Sequence, residues 1–213
     1  MEKTKIAIIG GTGKSGKYLV KALIDQGLRL KILVRNPDNF RSQNPLVEVV
    51  HGDVNDYDTI RILAENCRAV ISTLGLGQPN SEPTIFSKST KNVLRAMSEY
   101  PISHYIVTTG LNVDTPFDKK GQKTRMATDW MRANYPKSTS DKQSEYNLLV
   151  SSEVNWTLVR LPLIELTDDE KKILVSLEDC PGEKISAVSL ANFLINQLSD
   201  QRFIGKAPFV ADA

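Results

Sequence analysis

Short apolar runs alternate with amphipathic stretches along this chain, and that alternation predicts its elements before any motif is considered. Ile6-Ala7-Ile8-Ile9 is continuously apolar, as a strand buried on both faces should be. Tyr18, Leu19, Ala22 and Leu23 follow as an apolar stripe at helical spacing, predicting a helix over about residues 15–26, which Gly27 ends by tolerating positive φ. Residues 30–34 and 46–50 read as the next two strands, and Asp56 or Asp58 can cap a helix running to about Asn66. Residues 69–73 make a fourth strand, central by its unbroken apolar character, before a Gly/Pro loop over 75–80. A helix is predicted over about 84–99, a strand over 105–108, an irregular stretch over 111–123, helices over 124–134 and 139–152, and a strand over 156–160. The remainder offers a strand at 172–177, a helix at 188–198 capped near Ser186, and a short strand at 208–210.

Strands and helices in that order predict a single α/β domain over residues 1–213, a doubly wound parallel sheet with helices on both faces, which the glycine turn and the resemblance read below make Rossmann-type. Residues 111–152 and 161–187, with a small C-terminal segment, are expected to shape the substrate side. Hydrophobic residues make up 40 % of the 213, ample for one core, and a net charge of +2, mixed along the chain, gives no footprint for nucleic acid or a membrane surface. Lys119-Lys120 and Lys171-Lys172 read as solvated pairs. No run approaches the roughly 18 apolar residues that a membrane span needs. The chain enters a strand by Lys5 with no charged leader before it, so a cytoplasmic location is expected. Cys67 and Cys180 form neither a C-x-x-C pair nor a metal spacing and are expected to be buried or surface thiols; His51 and His104 lie too far apart to suggest a zinc site, so no metal is expected.

Gly13-Lys14-Ser15 invites a triphosphate-loop reading, which requires G-x-x-x-x-G-K-[ST]. Five positions before Gly13 stands Ile8, inside the strand; the alternative frame, Gly11 to Gly16-Lys17, puts Tyr18 where the magnesium-binding hydroxyl belongs. Gly10, Gly13 and Gly16 instead follow the strand in G-x-x-G-x-x-G spacing, supplying a tight turn, close approach to a pyrophosphate and close helix packing. That spacing resembles the short-chain dehydrogenase/reductase superfamily. Backbone N–H groups of residues 12–16 can then receive the pyrophosphate at the helix N-terminus, with side-chain contacts from Thr12, Lys14 and Ser15.

The second strand ends in Leu33-Val34-Arg35. A cation there favours a 2′-phosphate, so the expected cofactor is NADP(H). Asp38, after Asn36-Pro37, is expected to shape the turn. Asp53 can accept from the adenine amino group with Val54 covering the ring, or can simply organise its own turn. Thr73, Leu74 and Gly75 are expected along the ribose and nicotinamide path.

IAIIGGTGKSG, LVRNP, HGDV, ISTLGLG, IVTTG and KQSEYNLLVSSEVNWTLVRLP occur in an order that resembles the atypical short-chain reductases, the NmrA-like or NAD(P)H-binding family. The series Lys142, Glu145, Leu148, Trp156-Thr157 and Arg160-Leu161-Pro162 narrows the resemblance to flavin reductases of the biliverdin reductase B type. The resemblance implies an NADPH-dependent oxidoreductase passing hydride to a flat acceptor, a flavin or quinone; the alternative it carries is a non-catalytic regulator sensing NADP(H). It places Thr109 beside the nicotinamide and lets Lys142 reach the pocket, although a solvent-facing lysine is an equal reading. The Y-x-x-x-K pair of ordinary short-chain dehydrogenases is missing: Tyr105, Tyr135 and Tyr146 are followed four residues later by Thr109, Thr139 and Val150, so proton exchange by that dyad is not expected. Met126, Trp130 and Met131 read as core or, alternatively, as the roof of an apolar acceptor pocket.

Overall fold

The first strand, β1 (Lys5–Ile9), sends its side chains to two cores: Ala7 and Ile9 enter one, Ile6 and Ile8 the other. The computed structural model describes residues 5–76 and 82–213; Gly77, Gln78, Pro79 and Asn80 of the expected loop lie outside the described residues. After β1 come α1 (Gly16–Asp25), β2 (Leu30–Val34), β3 (Val47–His51), α2 (Tyr57–Ala64), β4 (Cys67–Ser72), α3 (Ile85–Glu99) and β5 (His104–Gly110). Then follow α4 (Gln122–Asn134), α5 (Pro136–Val150), β6 (Trp156–Leu161), β7 (Leu163–Glu165), β8 (Ile173–Ser176), β9 (Lys184–Ser186), α6 (Ala187–Asn196) and β10 (Phe209–Asp212).

Eight strands form one sheet in the order β3-β2-β1-β4-β5-β6-β10-β8, parallel except for β8, which runs antiparallel to β10. Leu19 and Leu23 of α1 and Leu190 and Leu194 of α6 cover the face bearing Ile6 and Ile8. Ile60 of α2, Phe86 and Val93 of α3, and Leu149 of α5 cover the other. Chain order reverses between β1 and β4, which opens a crevice at their carboxyl ends.

Local chemistry sets several boundaries where the sequence places them. Asp56 caps α2 by accepting from the Thr59 N–H at 3.0 Å, and Gly27 takes φ +70° at the end of α1. Helix α5 starts at Pro136, three residues before expectation, because proline at the first helical position gives up no needed N–H. The short parallel pair β7 and β9 is not predicted; each strand has three residues, too few for a period-two signal.

Lys120 corrects the solvated-pair reading. It is buried, donating to the carbonyls of Leu111 (2.8 Å) and Val113 (3.3 Å) and to Asp114 Oδ1 (2.7 Å), whereas Lys119 does stay at the surface. Fully buried Arg160 fixes the same stretch. It donates to Asp118 Oδ1 (2.6 Å), to the Val113 carbonyl from β6, and to the Ala207 and Leu177 carbonyls, stacking 3.5 Å over Phe209. Residues 111–120 therefore lack regular structure but are tied down by two buried cations.

Candidate functional site

Two glycines of the β1–α1 turn are required for backbone reasons. Gly10 has φ +79°, and a Cβ there would lie 2.6 Å from the Thr73 carbonyl oxygen; a Cβ on Gly16 would overlap the Gly10 carbonyl oxygen. The turn thus lets α1 begin directly against the ends of β1 and β4. Ser15 caps α1 without a side-chain bond, and no acidic residue stands in the first turn. The Gly13 N–H, expected to receive the pyrophosphate, already donates to the Gly10 carbonyl (2.9 Å), so the amides of Thr12, Lys14, Ser15 and Gly16 and the positive end of the helix are what the turn offers an anion. Thr12, Gly13 and Lys14 occupy the turn, and Lys14 and Ser15 line a large cavity that begins there.

The cavity measures about 1130 Å³ and extends from the switch point past the end of β5 to α4. Thr73, Leu74 and Gly75 after β4 line it, as do Thr109 and Lys142. Arg35, Asp53 and Val54 stand outside it. Arg35 is exposed at the end of β2; the Asp53 carboxylate accepts from the Asn55 N–H (2.9 Å) and so organises its own turn; Val54 is buried in the core, its carbonyl taking a bond from Asn92. Asp38 sits in a 3-10 turn where Asn36 accepts from its N–H.

Two features mark the floor. Thr109 is 6 % exposed and its Oγ1 has no hydrogen-bond partner among the described residues, a costly arrangement for a buried hydroxyl. Lys142, far from facing solvent, is 7 % exposed: its Nζ donates to the Thr108 carbonyl (3.0 Å) and to Glu145 Oε2 (2.8 Å) and lies 3.9 Å over the Phe86 ring. Thr90 donates to the other Glu145 oxygen and is itself bonded to the Tyr105 hydroxyl. Burial pushes the Glu145 carboxyl above its usual value, with Lys142 and Thr90 opposing. Tyr146, one turn from Lys142, is core, edge-on to Trp156.

The far wall is apolar. Met126 and Trp130 are 64 % and 59 % exposed and, with Met131, line the cavity; the core reading of this stripe fails because α4 buries its threonines, Thr124 and Thr128, instead. Leu163 and Leu166 also line the cavity, and Tyr135 stands edge-on to Trp130. Asp179 holds α4 in place. Burial raises its carboxyl, but bonds from Thr124, the Gly121 N–H and the Cys180 N–H together bring it below its usual range, as a carboxylate at a helix N-terminus should be. Cys180 also lines the cavity, its thiol raised by burial, whereas Cys67 is buried elsewhere and pushed up to about 12. Sequence reasoning named Glu145 only within the resemblance, and covered Asp179 and the Leu163–Leu166 wall only through the 161–187 span expected to shape the substrate side; the i,i+3 spacing of Lys142 and Glu145 is what signals a pair.

Among the described residues no cluster of three or more metal-ligating side chains occurs, and no helix is long and apolar enough to cross a membrane. The profile of a family described as NAD(P)H-binding matches residues 10–201. Isoflavone reductase homolog P3 of Arabidopsis thaliana is 34 % identical over 115 residues, which is 47 % of this chain and 36 % of that protein. The match thus spans about a third of that curated relative's length. Two solved structures share the fold at low identity. ChuY, an anaerobillin reductase from Escherichia coli O157:H7, superimposes with a TM-score of 0.80 at 15 % identity over 98 % of this chain and 97 % of its own. A short-chain dehydrogenase/reductase from Veillonella parvula DSM 2008 in complex with NADP gives 0.78 at 14 % identity over 98 % and 94 %.

Proposed function

Because the chain belongs to the NAD(P)H-binding family, we propose that it is an NADPH-dependent oxidoreductase that delivers hydride to a flat acceptor such as a flavin or quinone. The observation that carries this reading is the buried, unpartnered Thr109 hydroxyl on the cavity floor, where the switch-point crevice meets an apolar chamber. The Thr109 hydroxyl is closed to solvent in this structure, and a turn about its χ1 would let it meet a dinucleotide laid across that crevice, while the chamber beyond receives a ring system.

The residues fit the cofactor in kind. Gly10, Gly13 and Gly16 admit its pyrophosphate to the N-terminus of α1, where Thr12, Lys14 and Ser15 add polar contacts. Arg35 takes the 2′-phosphate and can stack on adenine. Asp53 stays within reach of the adenine edge while Val54 supports it from the core; Thr73, Leu74 and Gly75 line the ribose. When bound, NADPH supplies the hydride. Thr109 orients the nicotinamide or acceptor by its hydroxyl, and Lys142 braces the Thr108 carbonyl that sets the floor. Holding donor and acceptor in contact is most of what such a transfer requires, and water can provide the proton in the absence of a Y-x-x-x-K pair. The reductase names borne by the relatives support the class.

An open acceptor chamber beside Thr109 favours the enzyme over a regulator that only senses NADP(H). Purified protein mixed with NADPH and either a naphthoquinone or flavin mononucleotide should oxidise NADPH steadily. A tight NADPH complex that turns over with no acceptor of a broad panel would replace this reading with the sensor.

A further inference from the structure

Resting on the reductase reading, we infer that the acceptor is an uncharged flat ring compound, and that acceptors carrying a phosphate, sulfonate or carboxylate are discriminated against. The chamber offers rings much to touch: Met126, Trp130, Tyr135, Leu163 and Leu166 all line it. Aromatic and thioether surfaces of this kind stack on flat systems regardless of substituents.

Its charges decide what those substituents can be. Lys14, Lys123, Lys142 and Glu183 are the charged residues lining the cavity among the described residues, and residues 77–81 contain no charged side chain. Lys142 is committed to Glu145 inside the wall. Lys123, on α4, meets Glu183, on the segment leading into β9, at 2.6 Å across the mouth. The pair is exposed, so it adds little to stability; its consequence is that the mouth carries no net charge. Lys14 alone makes no ion pair among the described residues, and it sits at the start of α1, where the pyrophosphate is expected. An anionic group in the acceptor chamber would therefore be desolvated against apolar side chains with no cation to meet it. A neutral quinone meets no such penalty: two electrons and a proton arrive as hydride, a second proton comes from water, and hydroquinone and NADP⁺ leave.

The test compares kcat/KM with saturating NADPH for a naphthoquinone and its sulfonated analogue, and for riboflavin and flavin mononucleotide. The neutral member of each pair should be preferred by about tenfold or more. Glu183→Gln uncovers the Lys123 charge and should raise the ratio of anionic to neutral kcat/KM roughly threefold, an effect that fades as salt rises. Equal kcat/KM within both pairs, or a ratio unmoved by Glu183→Gln, overturns the inference while leaving the reductase reading intact. Reduction of none of the four despite NADPH binding overturns both.

Discussion

Replacing Lys142 with Met tests whether the cavity floor is held by a buried ion pair. The change keeps an unbranched side chain in the wall but removes the bonds at 2.8 Å to Glu145 and 3.0 Å to the Thr108 carbonyl. Glu145, 2 % exposed, keeps only Thr90 as partner. Breaking a buried pair by removing one member costs about 3–5 kcal/mol. At about 2–4 °C per kcal/mol for a chain of this size, melting should fall by roughly 10 °C near neutral pH. The sign of the pH dependence follows from Glu145. Its folded pKa is raised by burial above the ordinary 4.5, so its contribution is fully present below that value and is lost as pH rises through the folded one. Removing the opposing lysine raises the folded value further and extends that loss upward. The melting deficit of Lys142→Met relative to the wild type should thus be smaller at pH 5 than at pH 8, and Lys142→Met/Glu145→Leu should recover part of it. Thermal denaturation followed by circular dichroism at the two pH values measures this. A deficit below about 1 kcal/mol, or one equal at both pH values, would refute the buried-pair account.

Arg35→Ala should weaken NADPH binding by about ten- to a hundredfold, the worth of a charge-assisted contact, while NADH binding changes little; calorimetry showing equal losses would remove the case for NADP. Gly16→Ala forces a methyl onto the Gly10 carbonyl and should cost about 1–3 kcal/mol of stability together with most of the NADPH affinity, read by melting with and without cofactor. Thr109→Val removes an unpartnered hydroxyl, so apo stability should hold or rise slightly while NADPH turnover drops; unchanged turnover would reduce Thr109 to packing.

Much of the architecture was legible because it is written locally. Continuous apolar runs gave β1 and the centre of β4, and the glycines after β1 gave the turn, since positive φ and close approach exclude side chains there. Burial of charge was not legible. Lys120 and Lys142 look like surface lysines until residues distant in the chain bring carbonyls and carboxylates to them, and no periodicity reports that. The stripe of Met126, Trp130 and Met131 has the spacing of a buried face, yet α4 caps a cavity instead of a core. Its anchor, Asp179, comes from more than fifty residues onward, on a segment whose short strands carry no pattern of their own.

Hydride transfer inside this cavity is tested most directly by single-turnover absorbance at 340 nm with NADPH stereospecifically deuterated at C4, mixed with excess naphthoquinone. The account predicts rapid loss of the signal, slowed about two- to fivefold when deuterium occupies one C4 position and unslowed for the other, because a fixed nicotinamide presents one face to the acceptor. Persistence of the reduced signal with cofactor bound, or oxidation indifferent to the label at either position, would contradict it.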